Sequence, residues 1–299
     1  MNKFSRTLLA VSLGLTCSCI VAAQDKPMGS SSIPKVLTIT REFVKPGKAG
    51  AIHDKAESAF VQAMSRAKSP TNYIGMTSLS GKPRALFLTQ FESFEAWEKD
   101  NQAVEKNAAL SAALDRALMA DGELLDSVDQ GVFVFNEELS LRPRPDLSPM
   151  RYLDISVYHV RPGHNKDWTD LVKMVKNAYE KAVADAHWGV FAQYYGGEGG
   201  TYLVLTARKS LTEVDRSFLD SKQFRAAMGE DGMKKLDELA AVTIESSLHN
   251  LFAFNPRMSY VADEWIKNDD FWKPKAVALP APMPAAAAKP ANDDKKPKP

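Results

Sequence analysis

A five-residue turn occurs twice in this chain, as Val44-Lys45-Pro46-Gly47-Lys48 and as Val160-Arg161-Pro162-Gly163-His164. Each copy ends an alternating apolar/polar run and precedes a helical pattern, so each reads as strand, Pro-Gly turn, helix. Two further anchors repeat in the same order. Leu86-Phe87-Leu88-Thr89 matches Leu203-Val204-Leu205-Thr206, and Phe133-Val134-Phe135-Asn136 matches Phe252-Ala253-Phe254-Asn255. The offset grows only from 116 at the first anchor to 119 at the last, as small loop insertions would give. The chain is therefore two copies of one unit.

The pattern within a copy is β-α-β-β-α-β. In the first, Val36 to Val44 alternates, Ala49 to about Lys68 is helical, and Asn72–Ser78 and Arg84–Phe91 form a hairpin. A second helical region follows from Ser93, a plausible N-cap, with Leu110, Leu114 and Leu118 as a ridge. Gly131 to Phe135 closes the unit. The second copy runs from Tyr152 to Phe254 in the same order, with Gly196–Gly200 as its hairpin turn and Ser210–Glu213 spaced as a capping box. The expected division is a signal peptide at 1–23, a leader at 24–34, units at 35–141 and 150–272 around a linker at 142–149, and a Pro/Ala/Lys tail at 273–299. Tyr260, Trp265, Phe271 and Trp272 precede the tail and are expected to dock on the body.

The N-terminus sets the compartment. Lys3 and Arg6 precede a short apolar run, Leu8 to Leu15, and Val21-Ala22-Ala23 supplies small residues for cleavage after Ala23. The run is too short to span a membrane, so a periplasmic or extracellular protein is expected. A lipid anchor on Cys17 or Cys19 fits the preceding residues less well. Both cysteines fall in the expected signal peptide, which leaves the mature chain without a disulfide, a thiolate nucleophile or a thiolate metal site. A net charge of +1 gives no electrostatic reason to expect nucleic acid or an anionic membrane.

The strand ending in Val-Lys/Arg-Pro-Gly, the amphipathic helix after it, and the run Leu86-Phe87-Leu88-Thr89-Gln90-Phe91-Glu92-Ser93-Phe94-Glu95-Ala96-Trp97 together resemble the dimeric α+β barrel superfamily. That group includes antibiotic-biosynthesis-monooxygenase-like and NIPSNAP-like domains. The resemblance implies two tandem ferredoxin-like units whose sheets pair into an intramolecular α+β barrel. It covers roughly 35–136 and 150–255 and does not imply one function, because members include haem-degrading enzymes and cofactor-free oxygenases.

Strand alternation then assigns faces. Leu37, Ile39, Phe43, Leu153, Ile155 and Val157 are expected to pack on helices. Thr38, Thr40, Glu42, Asp154, Ser156 and Tyr158 are expected to line an inter-sheet cavity wet enough for a small ligand. Within it Glu42 and Asp154 are candidate general bases, with Tyr158 as a third catalytic candidate. Thr38, Thr40, Ser156, Tyr194 and Tyr202 are candidate ligand contacts. His53 and Glu57, four apart on one helix, have a spacing that can share a metal. They fall beside the Ile52/Ala56/Phe60 stripe, so a solvated pair is expected and no metal site is assigned. His249 is the candidate haem ligand, a role the resemblance keeps open because chlorite-dismutase-like haem enzymes also carry two ferredoxin-like units. No cofactor is otherwise expected.

Three functions follow. The leading one is small-ligand binding in the inter-sheet cavity by an exported monomer or homodimer. A cofactor-independent monooxygenase-like enzyme and a non-catalytic envelope protein are the alternatives. A closed, Phe-filled interior would count against the first two.

Overall fold

The computed structural model describes residues 33–144 and 146–273. The signal-peptide reading, both cysteines and the tail beyond Lys273 lie outside them.

The first unit contains β1 (Val36–Val44), α1 (Ala51–Ala67), β2 (Tyr73–Ser78), β3 (Arg84–Phe91), α2 (Phe94–Lys106), α3 (Ala108–Gly122) and β4 (Leu125–Leu141). The second contains β5 (Tyr152–Val160), α4 (Asn165–Ala182), β6 (Trp188–Tyr195), β7 (Thr201–Arg208), α5 (Thr212–Thr243) and β8 (Ile244–Phe254). Ser93 caps α2 as expected, its hydroxyl accepting from the Ala96 N–H at 3.1 Å. The second cap differs. No side chain caps α5, although Glu213 reaches back to the Lys209 N–H at 3.2 Å. A short α6 (Asp263–Asn268) ends the described chain, between 3-10 turns at Pro256–Met258 and Asp270–Trp272. Among the described residues no helix is long and apolar enough to cross a membrane.

All eight strands among the described residues join one closed antiparallel barrel in the order β1-β3-β2-β8-β5-β7-β6-β4. Each unit contributes a four-stranded ferredoxin-like sheet, and the β2–β8 and β4–β6 pairings join the two. This is the α+β barrel expected from the repeat, closed within one chain.

The face assignment reverses. An eight-stranded barrel has an interior that side chains just fill. Leu37, Ile39, Leu153 and Ile155 point into it, together with Phe133, Phe191, Phe252 and Phe254. Val157 packs against the same cluster. Residual space at one barrel end, beside Phe135 and Phe191, amounts to about 60 Å³. That is room for about two waters at ~30 Å³ each. Trp265 and Trp272 close the apolar cluster, and the Trp272 indole N–H donates to the Ser148 carbonyl at 2.7 Å. The polar alternates of β1 and β5 therefore lie outside the barrel, under the helices. The sequence pattern shows which residues share a face. It does not show which face goes inward when both are covered.

Candidate metal centre

Glu42 sits near the end of β1, with Ala85 and Val128 as its cross-strand neighbours. Its carboxylate points outward, under α1. There it meets His53 and Glu57, one helical turn apart on α1, and Asp121 from the last turn of α3. His53 Nε2 lies 3.1 Å from Glu42 Oε2, 3.3 Å from Asp121 Oδ1 and 3.9 Å from Glu57 Oε1. One ligating atom from each of the four residues lies within 4.8 Å of all the others. Ligands about 2.1 Å from a shared tetrahedral ion would stand about 3.4 Å apart, and the His53 separations bracket that value.

All four side chains are buried, Asp121 completely. Buried polar atoms ordinarily have hydrogen-bond partners. Here neither Asp121 oxygen has one, nor has Glu57 Oε1. The hydroxyl of Tyr73, on the adjoining β2, is likewise buried without a partner.

The cluster is short of positive charge, with three carboxylates facing one imidazole. Burial pushes the Glu57 carboxyl up to about 10, and the nearby Glu42 and Asp121 charges add to this. Burial also raises Glu42, against the opposing hydrogen bond from His53. For His53, burial acts downward. Its contacts with Asp121, Glu42 and Glu57 outweigh that and hold the imidazolium to about 10. Burial, then the charges of Glu57 and Glu42, push the Tyr73 phenol well above its usual value. Without a metal, the cluster must retain protons to remain buried. A divalent cation would replace protons by offsetting two of the three carboxylate charges.

The second unit supplies the support. After β8 its chain crosses to the first unit and packs against α1. Asn255 Nδ2 donates to Asp54 Oδ1 at 2.9 Å, and Arg257 Nη1 to Asp54 Oδ2 at 3.2 Å. The Gly75 N–H donates to Ser259 Oγ at 2.9 Å, and Tyr73 and Tyr260 exchange backbone hydrogen bonds. Gly75 has no room for a side chain, since a Cβ would stand 2.4 Å from the Met258 carbonyl. The segment thus lies flat on β2, beside the cluster.

The sequence-derived site residues separate into two groups. Glu42 joins the cluster, but from the helix side. Thr38 and Thr40 share its face and make local bonds, Thr38 Oγ1 donating to the Thr89 carbonyl and Thr40 Oγ1 accepting from Gln130 Nε2. In the second unit Tyr158 and Tyr202 pack on Trp168 of α4, with ring centroids 5.1 and 5.0 Å away. Ser156 Oγ bonds His249 Nδ1 at 2.8 Å, so His249 lies exposed on the outer sheet face. Asp154 is ion-paired with Arg208, and Tyr194 is 60% exposed on the surface. None of these lines an inter-sheet cavity. His53 and Glu57, expected to be solvated, are 3% exposed each, while Ile52 is 38% exposed. The buried face of α1 is thus rotated from the Ile52/Ala56/Phe60 stripe. Asp121 was not anticipated. Its signal was its place four residues after Ala117 and eleven after Leu110, the residues that α3 buries.

No protein-family model matches the chain, and no curated protein matches it. Solved structures share the architecture distantly. A protein of Fusobacterium nucleatum with a provisional monooxygenase name has a TM-score of 0.49 at 10% identity, covering 74% of this chain and 93% of its own. An anthrone oxidase-like protein has a TM-score of 0.47 at 12% identity, covering 76% and 93%. Chlorite dismutase from Candidatus Nitrospira defluvii, in complex with imidazole, has a TM-score of 0.43 at 10% identity, covering 79% and 96%. At this level of likeness no neighbour's activity transfers to this chain.

Proposed function

We propose that Glu42, His53, Glu57 and Asp121 bind one divalent first-row transition metal ion, and that this centre is where the protein acts. A single observation carries the reading: Asp121 is fully buried with neither carboxylate oxygen hydrogen-bonded, among three other side chains within ligand spacing. Such an arrangement is costly for a purely structural core, because three buried carboxyl groups share a single imidazole, His53, as their only basic neighbour among the described residues. Carboxylate and imidazole donors suit Mn²⁺, Fe²⁺ or Zn²⁺. Ca²⁺ fits less well, since it takes six to eight oxygen ligands. Glu42, the base a cofactor-free oxygenase would use, is engaged with His53 in this set.

The test is metal analysis of protein reconstituted separately with each of the three ions. One equivalent per chain is expected. Asp121→Asn is expected to weaken binding at least tenfold, which is ~1.4 kcal/mol. Saturating metal at about a hundred times Kd should raise stability by ~2.7 kcal/mol, read as an upward shift in Tm. A wild-type protein that takes up none of the three and shows no such shift would overturn the reading.

A further inference from the structure

A metal ion answers only part of what the cluster leaves unmatched. Both Asp121 oxygens and Glu57 Oε1 are acceptors, and a cation satisfies acceptors. The Tyr73 hydroxyl, buried and equally without a partner, has a hydrogen to donate. A cation offers it nothing. It needs an acceptor, because a buried polar group left unpaired is costly.

The backbone decides which way this donor faces. Ile74 and Met76 of β2 belong to the barrel interior, so Tyr73 lies on the opposite face, the one that carries Glu42. Its ring is flanked by Phe87 and Tyr260, with centroids 6.1 and 6.3 Å away. The Tyr260 hydroxyl is engaged elsewhere, donating to the Ser69 carbonyl at 2.9 Å. Burial and the nearby charges of Glu57 and Glu42 keep the Tyr73 phenol protonated. A neutral buried donor therefore stands beside the cluster.

The number of protein donors points the same way. Each of the four residues offers one atom to a common ion. Mn²⁺ among oxygen ligands is ordinarily octahedral, so four donor atoms leave about two positions to other ligands. A ligand there must be small, because all four side chains are buried. It is best neutral, because three carboxylates already outweigh a divalent charge. Water is small, neutral and an acceptor.

We infer that the ion carries at least one water molecule and that Tyr73 donates its phenolic hydrogen to that water. The inference rests on the metal reading and deepens it. It makes the centre an open one, which presents an exchangeable ligand, where a purely structural site closes its coordination shell with protein atoms. Other small neutral oxygen donors could replace the water and take the same hydrogen bond. Tyr73 itself makes no bond to the ion.

The experiment uses the full chain loaded with Mn²⁺. Electron paramagnetic resonance counts the bound ion, line broadening in H₂¹⁷O counts its coordinated waters, and ¹⁷O relaxation of the bulk water gives their exchange rate. At least one coordinated water is expected in wild type. Tyr73→Phe keeps the ring and removes only the hydroxyl, so the fold and the Mn²⁺ affinity should be unchanged. Its coordinated water should exchange about tenfold faster, which is ~1.4 kcal/mol of barrier, the size of one hydrogen bond. Bound Mn²⁺ with no coordinated water overturns this inference and leaves the metal reading standing, as does protein that takes up Fe²⁺ or Zn²⁺ but not Mn²⁺. Exchange that is unchanged or slower in Tyr73→Phe overturns it too. So does a Tyr73→Phe protein that fails to fold, since the hydroxyl would then be bonded within the protein. Protein that binds none of the three ions fails the metal reading itself, and this inference with it.

Discussion

Glu42 and Tyr158 occupy the same place in the two units. Each lies two residues before the valine of its Pro-Gly turn, and in each strand the pairing register shifts just beyond it, at Phe43/Val44 and His159/Val160. Around Tyr158 the space between sheet and helix is filled conventionally, by Trp168, Leu171 and Val172 of α4 with Leu239 and Ala240 of α5. Around Glu42 the same layer contains His53, Glu57 and Asp121. One backbone thus supports an aromatic core in one half and a buried polar cluster in the other. Stability does not require the polar version of this layer, since the apolar one also closes it. On the proposed reading, the first unit carries the metal centre and the second serves as scaffold.

The comparison can be broken in three ways. Trp168→Ala should have the largest effect, a loss of about 3–5 kcal/mol from the cavity left in a packed core. Metal affinity at the first unit should stay unchanged. If Trp168→Ala abolishes metal uptake while the protein remains folded by circular dichroism, the halves are not separable in this way. A smaller effect of opposite sign is expected when the cluster is converted to the second unit's chemistry, by Glu42→Met, His53→Leu, Glu57→Met and Asp121→Leu together. Replacing buried charges by apolar groups of similar volume is often neutral to stabilising by ~1–4 kcal/mol. The metal-free variant should therefore melt no lower than metal-free wild type and bind no metal. A clear loss of stability would show that the charged layer holds the fold together.

The third effect is the most gradual. In metal-free protein Glu57 and His53 both titrate near 10, above their ordinary values of 4.5 and 6.5. Folding therefore favours the protonated form of each. The Glu57 contribution is fully present below about pH 4.5 and is lost as pH rises towards 10, and the His53 contribution is lost between 6.5 and 10. Denaturant midpoints should fall across that range in metal-free wild type, and much less in the quadruple variant. Excess metal should flatten the fall, because ligation requires the deprotonated forms that high pH supplies.

The duplicated turn, the strand and helix order and the barrel closure were legible because each depends on local periodicity and on a repeat visible in one chain. The faces were not. Leu37 and Ile39 alternate with Thr38 and Thr40 just as a half-exposed strand would, yet both faces of β1 are covered, one by the barrel interior and one by α1. Helix phase failed for a related reason. Ile52 looks like the buried position of α1, but the helix packs with His53 and Glu57 underneath and Ile52 exposed. The His53–Glu57 spacing was visible as a possible metal pair. Its partners Glu42 and Asp121 lie 11 residues before and 68 residues beyond His53, and only the fold brings them together.

The support given to the first unit by residues 255–260 also fixes an order of events. Asp54 finds Asn255 and Arg257, and β2 finds Ser259 and Tyr260, only after nearly the whole chain has been made. An N-terminal unit that folded during translation would wait, with its charged layer only partly covered, until the last quarter of the protein emerged. On the proposed reading metal would enter as a late step in biogenesis, and a chain truncated after Phe254 would have all four candidate ligands but lack the segment that packs against α1.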